Sequence, residues 1–447
     1  MSSEPATGPI DTDDPLGANG VHSSRNFRLG IASGAIAGVE QSLLQPELII
    51  AGLIYALTRS SVAFALVPVL NKIGSLAPPL LVSSVVEHRP MRRPYFLSMT
   101  VGSVTSLVAL IGVMFLLSRQ VTRVNLTLFF VVFFVLCVFN GTRFVLFQDM
   151  TGRLIRPEQI GRFMGTRTFV GGSLAAVAGL VLTQPILQGV RLPFNYIGLT
   201  ALGVVFMVIS TWLWLRCREE PGPVASRRTT PAETLARGMR WLREDGNYRC
   251  YLAMRTAFRF TFAGMALLIP YGTERLGDGR ADSTLAILGG VFVAAGTLSL
   301  LLSALAWGRI ADRFGSRVTL IAAGLCQFLA PLLALLAPRL PKAFAFHLAG
   351  GWTLDLPLTV FILSLAAFRA GLYGDMIGGQ RFLLLNAPTH RRTAYIAFLN
   401  TITCPLALLP LAAAAVSGIF PLEGFYVLVA LAGAGSTAAA IRMNWRQ

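Results

Sequence analysis

The stretch 308–317, GRIADRFGSR, sets Arg309, Asp312, Arg313 and Arg317 between two runs, 283–307 and 318–338, that carry no charge. At 1.5 Å per residue, about 20 apolar residues suffice to cross a hydrocarbon core as a helix. Two such runs joined by a charged turn read as two membrane spans and the loop between them. Composition extends that reading to the whole chain. Of its 447 residues, 54% are hydrophobic and 13% charged, against about 25% charged in soluble domains.

Twelve apolar segments follow, at 28–57, 61–85, 95–118, 125–148, 163–190, 193–216, 250–272, 283–307, 318–338, 355–378, 392–418 and 422–441. Backbone groups in lipid must be satisfied within the segment, so the expected fold is an all-α integral membrane protein of twelve transmembrane helices. Cationic residues orient it. With both termini inside, the inner segments hold 24 Arg and the outer loops hold seven Arg and Lys342, and this bias places both ends in the cytosol. The net charge of +17 therefore reads as topology-setting charge beside a lipid bilayer, with no nucleic-acid partner expected.

The first residues, 1–27, are polar, acidic and rich in Pro and Gly, without the basic start and apolar middle of a secretory signal, and read as a disordered cytosolic tail. The longest polar interruption, 217–249, separates an N-terminal six-helix bundle (28–216) from a C-terminal six-helix bundle and short tail (250–447). Within it, Thr230-Pro231-Ala232-Glu233 has the form of a capping box with Pro at the first helical position. Leu235, Met239 and Leu242 follow at helical spacing, which predicts a short amphipathic helix against the membrane surface.

The two halves repeat one another. Segment four ends NGTRFVLFQDM and segment ten ends AAFRAGLYGDM, so that Arg143 precedes Asp149, and Arg369 precedes Asp375, by the same six residues. The charged turn has a counterpart in SSVVEHRPMRR (83–93), with Glu87 for Asp312, His88 for Arg313 and Arg92 for Arg317. Ser83 stands there in place of the leading glycine. Such in-register matches mark two six-helix pseudo-repeats.

Two parallel six-helix halves with charged inner turns resemble the major facilitator superfamily of secondary transporters. GRIADRFGSR looks like that superfamily's G-x-x-x-D-R-x-G-R-[KR] loop signature. The resemblance covers about 28–441 and implies two bundles that alternate access to a central cavity lined by spans one, four, seven and ten. It also implies a gating role for the loop: Gly308 and Gly315 let helices approach, Arg313 and Arg317 anchor the inner side, and Asp312 pairs with a cation or helix end across the interface. Asp149 and Asp375, and Glu87 by its position, are expected to contribute to the same inside gate by pairing with arginines near the loop turns.

Ionisable groups inside spans cost roughly 2.5–3.5 kcal/mol each on insertion scales and so become functional candidates. Glu40 lies near the middle of span one and Glu47 seven residues on, beyond Pro46. Lys72 lies in span two, Arg143 in span four, Arg255 and Arg259 in span seven, and Arg369 in span ten. Glu40 has Lys72 or Arg143 as candidate partners, either as a structural framework or as a coupling site. In the second half no carboxylate lies deeper than Asp375, which predicts a cationic cavity for an anionic solute.

The four His and five Cys are dispersed, so neither a metal site, a cofactor nor an enzyme active site is expected. No G-x-x-x-x-G-K-[ST] loop is present, so the chain alone is not expected to drive transport with nucleotide. The function expected is secondary active transport of a small solute, coupled to a proton or another ion, by a monomer in a bacterial inner membrane. The alternative is the same fold used as a non-transporting receptor or assembly factor for a pigment, lipid or protein.

Overall fold

A computed structural model describes residues 20–58, 60–76, 89–221, 230–276, 281–341, 346–348, 352–387, 392–409, 412 and 421–443. The described chain is almost entirely helical. In the first half the helices are α1 (Gly20–Leu43), α2 (Ala51–Thr58), α3 (Ser61–Leu76), α4 (Arg93–Arg119), α5 (Arg123–Leu154), α6 (Ile160–Ala178), α7 (Gln184–Gly189) and α8 (Phe194–Leu215). They are followed by α9 (Pro231–Glu244), α10 (Gly246–Ala266), α11 (Leu268–Leu276), α12 (Ala281–Leu336), α13 (Leu356–Asn386), α14 (Arg392–Thr403) and α15 (Leu422–Arg442). A short antiparallel hairpin pairs Phe346 with Leu354 and Leu348 with Trp352 ahead of α13.

Each of the twelve apolar segments coincides with helix over all or part of its length. Among the described residues seven helices are long and apolar enough to cross a membrane: Arg93–Arg119, Arg123–Leu154, Pro157–Gly189, Phe194–Leu215, Ala295–Arg339, Leu356–Asn386 and Leu422–Arg442. Some others are interrupted. Segment one breaks after Leu43 and resumes through a π-helical turn, Pro46–Ile50, into α2. Pro46 has no amide to donate back into the helix, and a single wide turn is a common consequence of such a gap. Segment seven breaks at Leu267, between α10 and α11.

The turn 308–317 lies inside α12, which is two helices meeting at Gly315, where φ is +81° and ψ 173°. That φ belongs to the left-handed side of the map, open to glycine and strained for any side chain. One residue therefore turns the chain between segments eight and nine, where the sequence suggests a loop.

Packing follows the repeat. α1 lies against α6 and α8, and α4 against α5; in the second half α12 packs on α13 and α15, and α10 on α15. Side chains pin these contacts: Ser33 Oγ donates to the Ser210 carbonyl at 3.0 Å and Ser210 Oγ donates to the Ser33 carbonyl at 3.1 Å. The two halves meet chiefly where α6 touches α12. The largest apolar cluster lies there, drawing Ile160, Phe163 and Met164 of α6 together with Ala304, Trp307 and Ala311 of α12.

The linker helix α9 starts at a complete capping box: Thr230 Oγ1 accepts from the Glu233 amide at 3.2 Å and Glu233 accepts from the Thr230 amide at 3.0 Å. Its protein-facing stripe is distinct from its aliphatic one. Thr234 and Gly238 are buried, with Phe398 of α14 against Gly238 and Trp241 edge-on to Tyr248 and tilted against Tyr395. Leu235 and Met239 remain 44% exposed. Small residues let α9 lie close on α14, so protein contact takes the Thr234–Gly238–Trp241 stripe and leaves the aliphatic stripe outward.

Candidate functional site

Three groups of charged residues organise the interior, and the first joins the two halves at the end that carries the arginine-rich turn 308–317. Asp312 of α12 reaches the N-terminus of α6, its Oδ1 accepting from the Gly161 amide at 2.8 Å and its Oδ2 from the Arg162 amide at 2.6 Å. The first amides of a helix have no partners within it and carry its positive end, so a carboxylate is held there by hydrogen bonds and by the helix dipole. Arg381, at the end of α13, stands 3.8 Å from the same carboxylate.

The approach needs Gly308, because a β-carbon there would lie 2.9 Å from the Gly161 carbonyl and 3.2 Å from Gly165 Cα. The arginines of the turn do not share in this contact. Arg309, Arg313 and Arg317 are exposed, and Arg313 lies 5.2 Å from the ring centroid of Phe314.

The second group centres on Asp149, fully buried at the end of α5. Its Oδ2 accepts from Arg92 Nε at 2.7 Å and from Thr393 Oγ1 of α14 at 3.0 Å, with Arg153 Nε 3.6 Å away. Thr393 belongs to the second half, so this carboxylate also bridges the halves. Glu219 completes the corner by accepting from the Arg92 and Arg93 amides at the start of α4, at 2.7 and 2.8 Å. Glu87 lies outside the described residues.

Asp375 departs from its repeat partner. Where Asp149 takes an arginine of the loop turn, Asp375 pairs with Arg255 of α10 in a buried contact. The physical reason is proximity in a low dielectric: Arg255 faces α13 at the level of Asp375, and two buried opposite charges would each be costly alone. This changes the charge count of the second half. Arg255 has a counter-charge, and the set of cations without an ion pair among the described residues narrows to Arg259 and Arg369. Both are partly buried, and Arg369 Nε is enclosed without a hydrogen-bond partner among the described residues.

The third group is in the first half. Arg143 Nη2 donates to Glu40 Oε1 at 2.7 Å, linking α5 to α1, and Glu40 is buried. Lys72 lies partly buried on α3. The Glu47 side chain lies outside the described residues; its backbone belongs to the turn Pro46–Ile50.

A residue that the sequence reading passed over sits beside this pair. Arg167 of α6 donates from Nη1 to the Gly30 carbonyl of α1 and lies 4.6 Å from the Phe147 ring and 5.7 Å from the Trp214 ring. Its stem occupies the space that Gly34 leaves. The signal was an arginine inside an apolar segment, with a glycine in segment one to make room. Its cation–π contacts depend on packing that spacing does not reveal.

These groups form an interior with ionisable residues on the equivalents of spans one, four, seven and ten, closed at one end by carboxylates that bridge the halves. The comparisons agree with that architecture. The Major Facilitator Superfamily profile matches residues 30–409. A bacterial homologue of the iron transporter ferroportin, in an outward-facing state, superposes with a TM-score of 0.66 at 15% identity, over 93% of this chain and 98% of that one. The E. coli fucose:proton symporter FucP gives 0.64 at 14% identity, over 95% and 100%. The human organic anion transporter MFSD10 gives 0.65 at 14%, over 94% and 99%. No curated protein sequence matches the chain. With the profile spanning both halves and whole-chain likeness to transporters of one architecture, the repeat, the charged turn and the bridged halves have a single explanation: this chain belongs to the Major Facilitator Superfamily.

Proposed function

We propose that the chain is a secondary active transporter that moves a small anionic solute by alternating access, coupled to protons or another ion. The observation that carries the solute class is the pair Arg259 and Arg369. They lie on α10 and α13, partly buried, and neither forms an ion pair among the described residues, while Asp375 pairs with Arg255. Guanidinium groups held in a low-dielectric interior without an ion-pair partner of their own favour a carboxylate or phosphate ligand.

Coupling is assigned to Glu40, with Arg143 as its alternating partner, Lys72 as a second cation of the same half, and Glu47 as the carboxylate nearer the outer side. Desolvation favours the neutral acid and a nearby guanidinium favours the ionised one, so a carboxylate whose partner moves with the bundles exchanges a proton as they rock. The inside gate is assigned to Asp312 with Gly308, Arg313, Gly315 and Arg317, and to Asp149, Asp375 and Glu87. The two bundles, 28–216 and 250–447, move about this gate with the linker 217–249 on the cytosolic side. We place both termini in the cytosol and the protein, as a monomer, in a bacterial inner membrane.

A thermal-shift screen of the purified protein against mono- and dicarboxylates, phosphate esters, sugars and amines tests the solute class. Stabilisation by one of the anionic classes, lost in Arg259→Ala and Arg369→Ala, is the expected result. Stabilisation by neutral or cationic compounds only would refute it.

A further inference from the structure

Glu40 has a guanidinium on each of two neighbouring helices, and only one of them holds it. Arg143 of α5 donates to it at 2.7 Å. Arg167 of α6 carries an equal charge and directs it at the Gly30 carbonyl and at the rings of Phe147 and Trp214, 4.6 and 5.7 Å from their centroids.

Three glycines of α1 set the register. Gly30 lies against Phe163, Gly34 against Arg167 and Gly38 against Gly171, at one constant offset, so α1 and α6 run parallel in close contact. Arg167 is therefore level with Gly34, about 9 Å along α1 from Glu40 at 1.5 Å per residue. Side chains lean toward the N-terminus of their own helix, which brings the Glu40 carboxylate toward the level of Arg167. On α5, Phe147 stands one turn from Arg143 on the same face, and the Arg167 guanidinium lies over its ring. Two cations thus sit about one turn apart beside a single acid. Among the described residues the ionisable groups near Arg167 are Glu40, Arg143 and the Cys217 thiol. The other long helix packed on α1, α8, carries no charge.

A carboxylate is a stronger partner for a buried guanidinium than a carbonyl or an aromatic face. Arg143 is the more open member of its pair, 19% exposed against 7% for Glu40, and is the cation that an anion entering the interior can draw away. We propose that Arg167 is the second partner of Glu40: when Arg143 turns to an anion, Arg167 leaves the rings of Phe147 and Trp214 and takes the carboxylate. This deepens the coupling role proposed for Glu40 and rests on it. A buried carboxylate left alone holds its proton fast. With Arg167 in reach, guanidinium and proton compete for Glu40, and the proton stays exchangeable. Arg167 is in this sense a positioning residue.

The swap is read without solute. In the full chain with Trp214 as its sole tryptophan, the other five replaced by Phe, emission reports whether a guanidinium lies beside the ring. Arg143→Gln should change the emission in the same direction and by about the same amount as Arg167→Gln, and adding Glu40→Gln to Arg143→Gln should restore the parent's spectrum. With all tryptophans present, denaturant unfolding of Arg143→Gln, Arg167→Gln and the double variant should be non-additive. The double variant should raise the unfolding constant roughly tenfold beyond the product of the two singles. That excess should vanish in a Glu40→Gln background and shrink when Arg167→Lys replaces Arg167→Gln. This cycle decides the case if the sole-tryptophan protein does not fold. Parent-like emission in Arg143→Gln, a change that persists with Glu40→Gln, or additive unfolding would overturn the swap. Neither readout uses a proton gradient, so the swap can fail with Glu40 still the coupling residue, whereas uphill accumulation by Glu40→Gln would remove the coupling and leave the swap.

Discussion

Asp312 accepts a hydrogen bond from the Gly161 amide at 2.8 Å, across 151 positions of sequence and from one half of the protein to the other. The same carboxylate takes the next amide, that of Arg162. A side chain of α12 therefore caps α6, and the cap can persist only while the two halves stay together at this end. Bridging carboxylates hold the two halves together at the arginine-rich end.

Asp312→Asn should lower transport while leaving insertion and abundance near wild type. The amide keeps one acceptor but loses the charge that the helix dipole favours, worth about 0.3–2 kcal/mol. The closed state should lose up to about thirtyfold in relative population at the top of that range. Transport assays in membrane vesicles, with abundance checked by immunoblot, read this directly; wild-type transport would reduce the turn to an anchor.

Glu40→Gln should abolish uphill accumulation yet keep counterflow exchange. The neutral amide cannot exchange a proton and leaves Arg143 without its counter-charge at 2.7 Å. Reconstituted liposomes loaded with solute separate the two activities, and a variant that still concentrates solute against a gradient would sink the coupling assignment.

The second-half arginines should divide by partner. Arg259→Ala and Arg369→Ala should weaken solute binding by roughly 10-fold to 150-fold, the range for losing a hydrogen bond to a charged group of about 1.5–3 kcal/mol. Arg255→Ala should act on stability, because Asp375 would be left buried and unpaired at about 3–5 kcal/mol. Calorimetric binding and thermal melting of the three variants make the distinction. Retained binding in both Arg259→Ala and Arg369→Ala would remove the case for an anionic solute.

Topology is open to a reporter test. Alkaline phosphatase fused after Arg243 should be inactive and after Asp278 active, because the orientation with both termini inside puts 24 cations on the inner side against 8 outside. The opposite pattern would invert the orientation.

Much of the fold was legible because it is written in composition. Uncharged runs such as 283–307 and 318–338 announce spans, and the repeated six-residue spacing from Arg143 to Asp149 and from Arg369 to Asp375 announces the two halves. The reach of Asp312 to a helix end was legible too, since an acid among arginines in a tight turn wants a positive partner. What spacing could not supply was the choice of partner. Asp149 and Asp375 hold equivalent sequence positions, yet one takes Arg92 and the other Arg255, because a buried carboxylate pairs with whichever guanidinium packing brings closest. Arg167 was missed for a related reason. Its surroundings are the rings of Phe147 and Trp214 and the Gly30 carbonyl, contributed by three other helices, and no local pattern records them. The protein-facing stripe of α9, where Thr234 and Gly238 let Phe398 pack close, leaves no mark in the spacing of Leu235 and Met239, which stay exposed.

The central claim, that the halves alternate about a gate held by Asp312, is tested most directly by double electron–electron resonance between spin labels at two exposed positions, Arg156→Cys before α6 and Arg309→Cys on α12, with the five native cysteines replaced. The account predicts a dominant short distance in the otherwise wild-type protein and a second, longer population that grows in Asp312→Asn. A single short distance in both proteins, unchanged by the loss of the carboxylate, would contradict it.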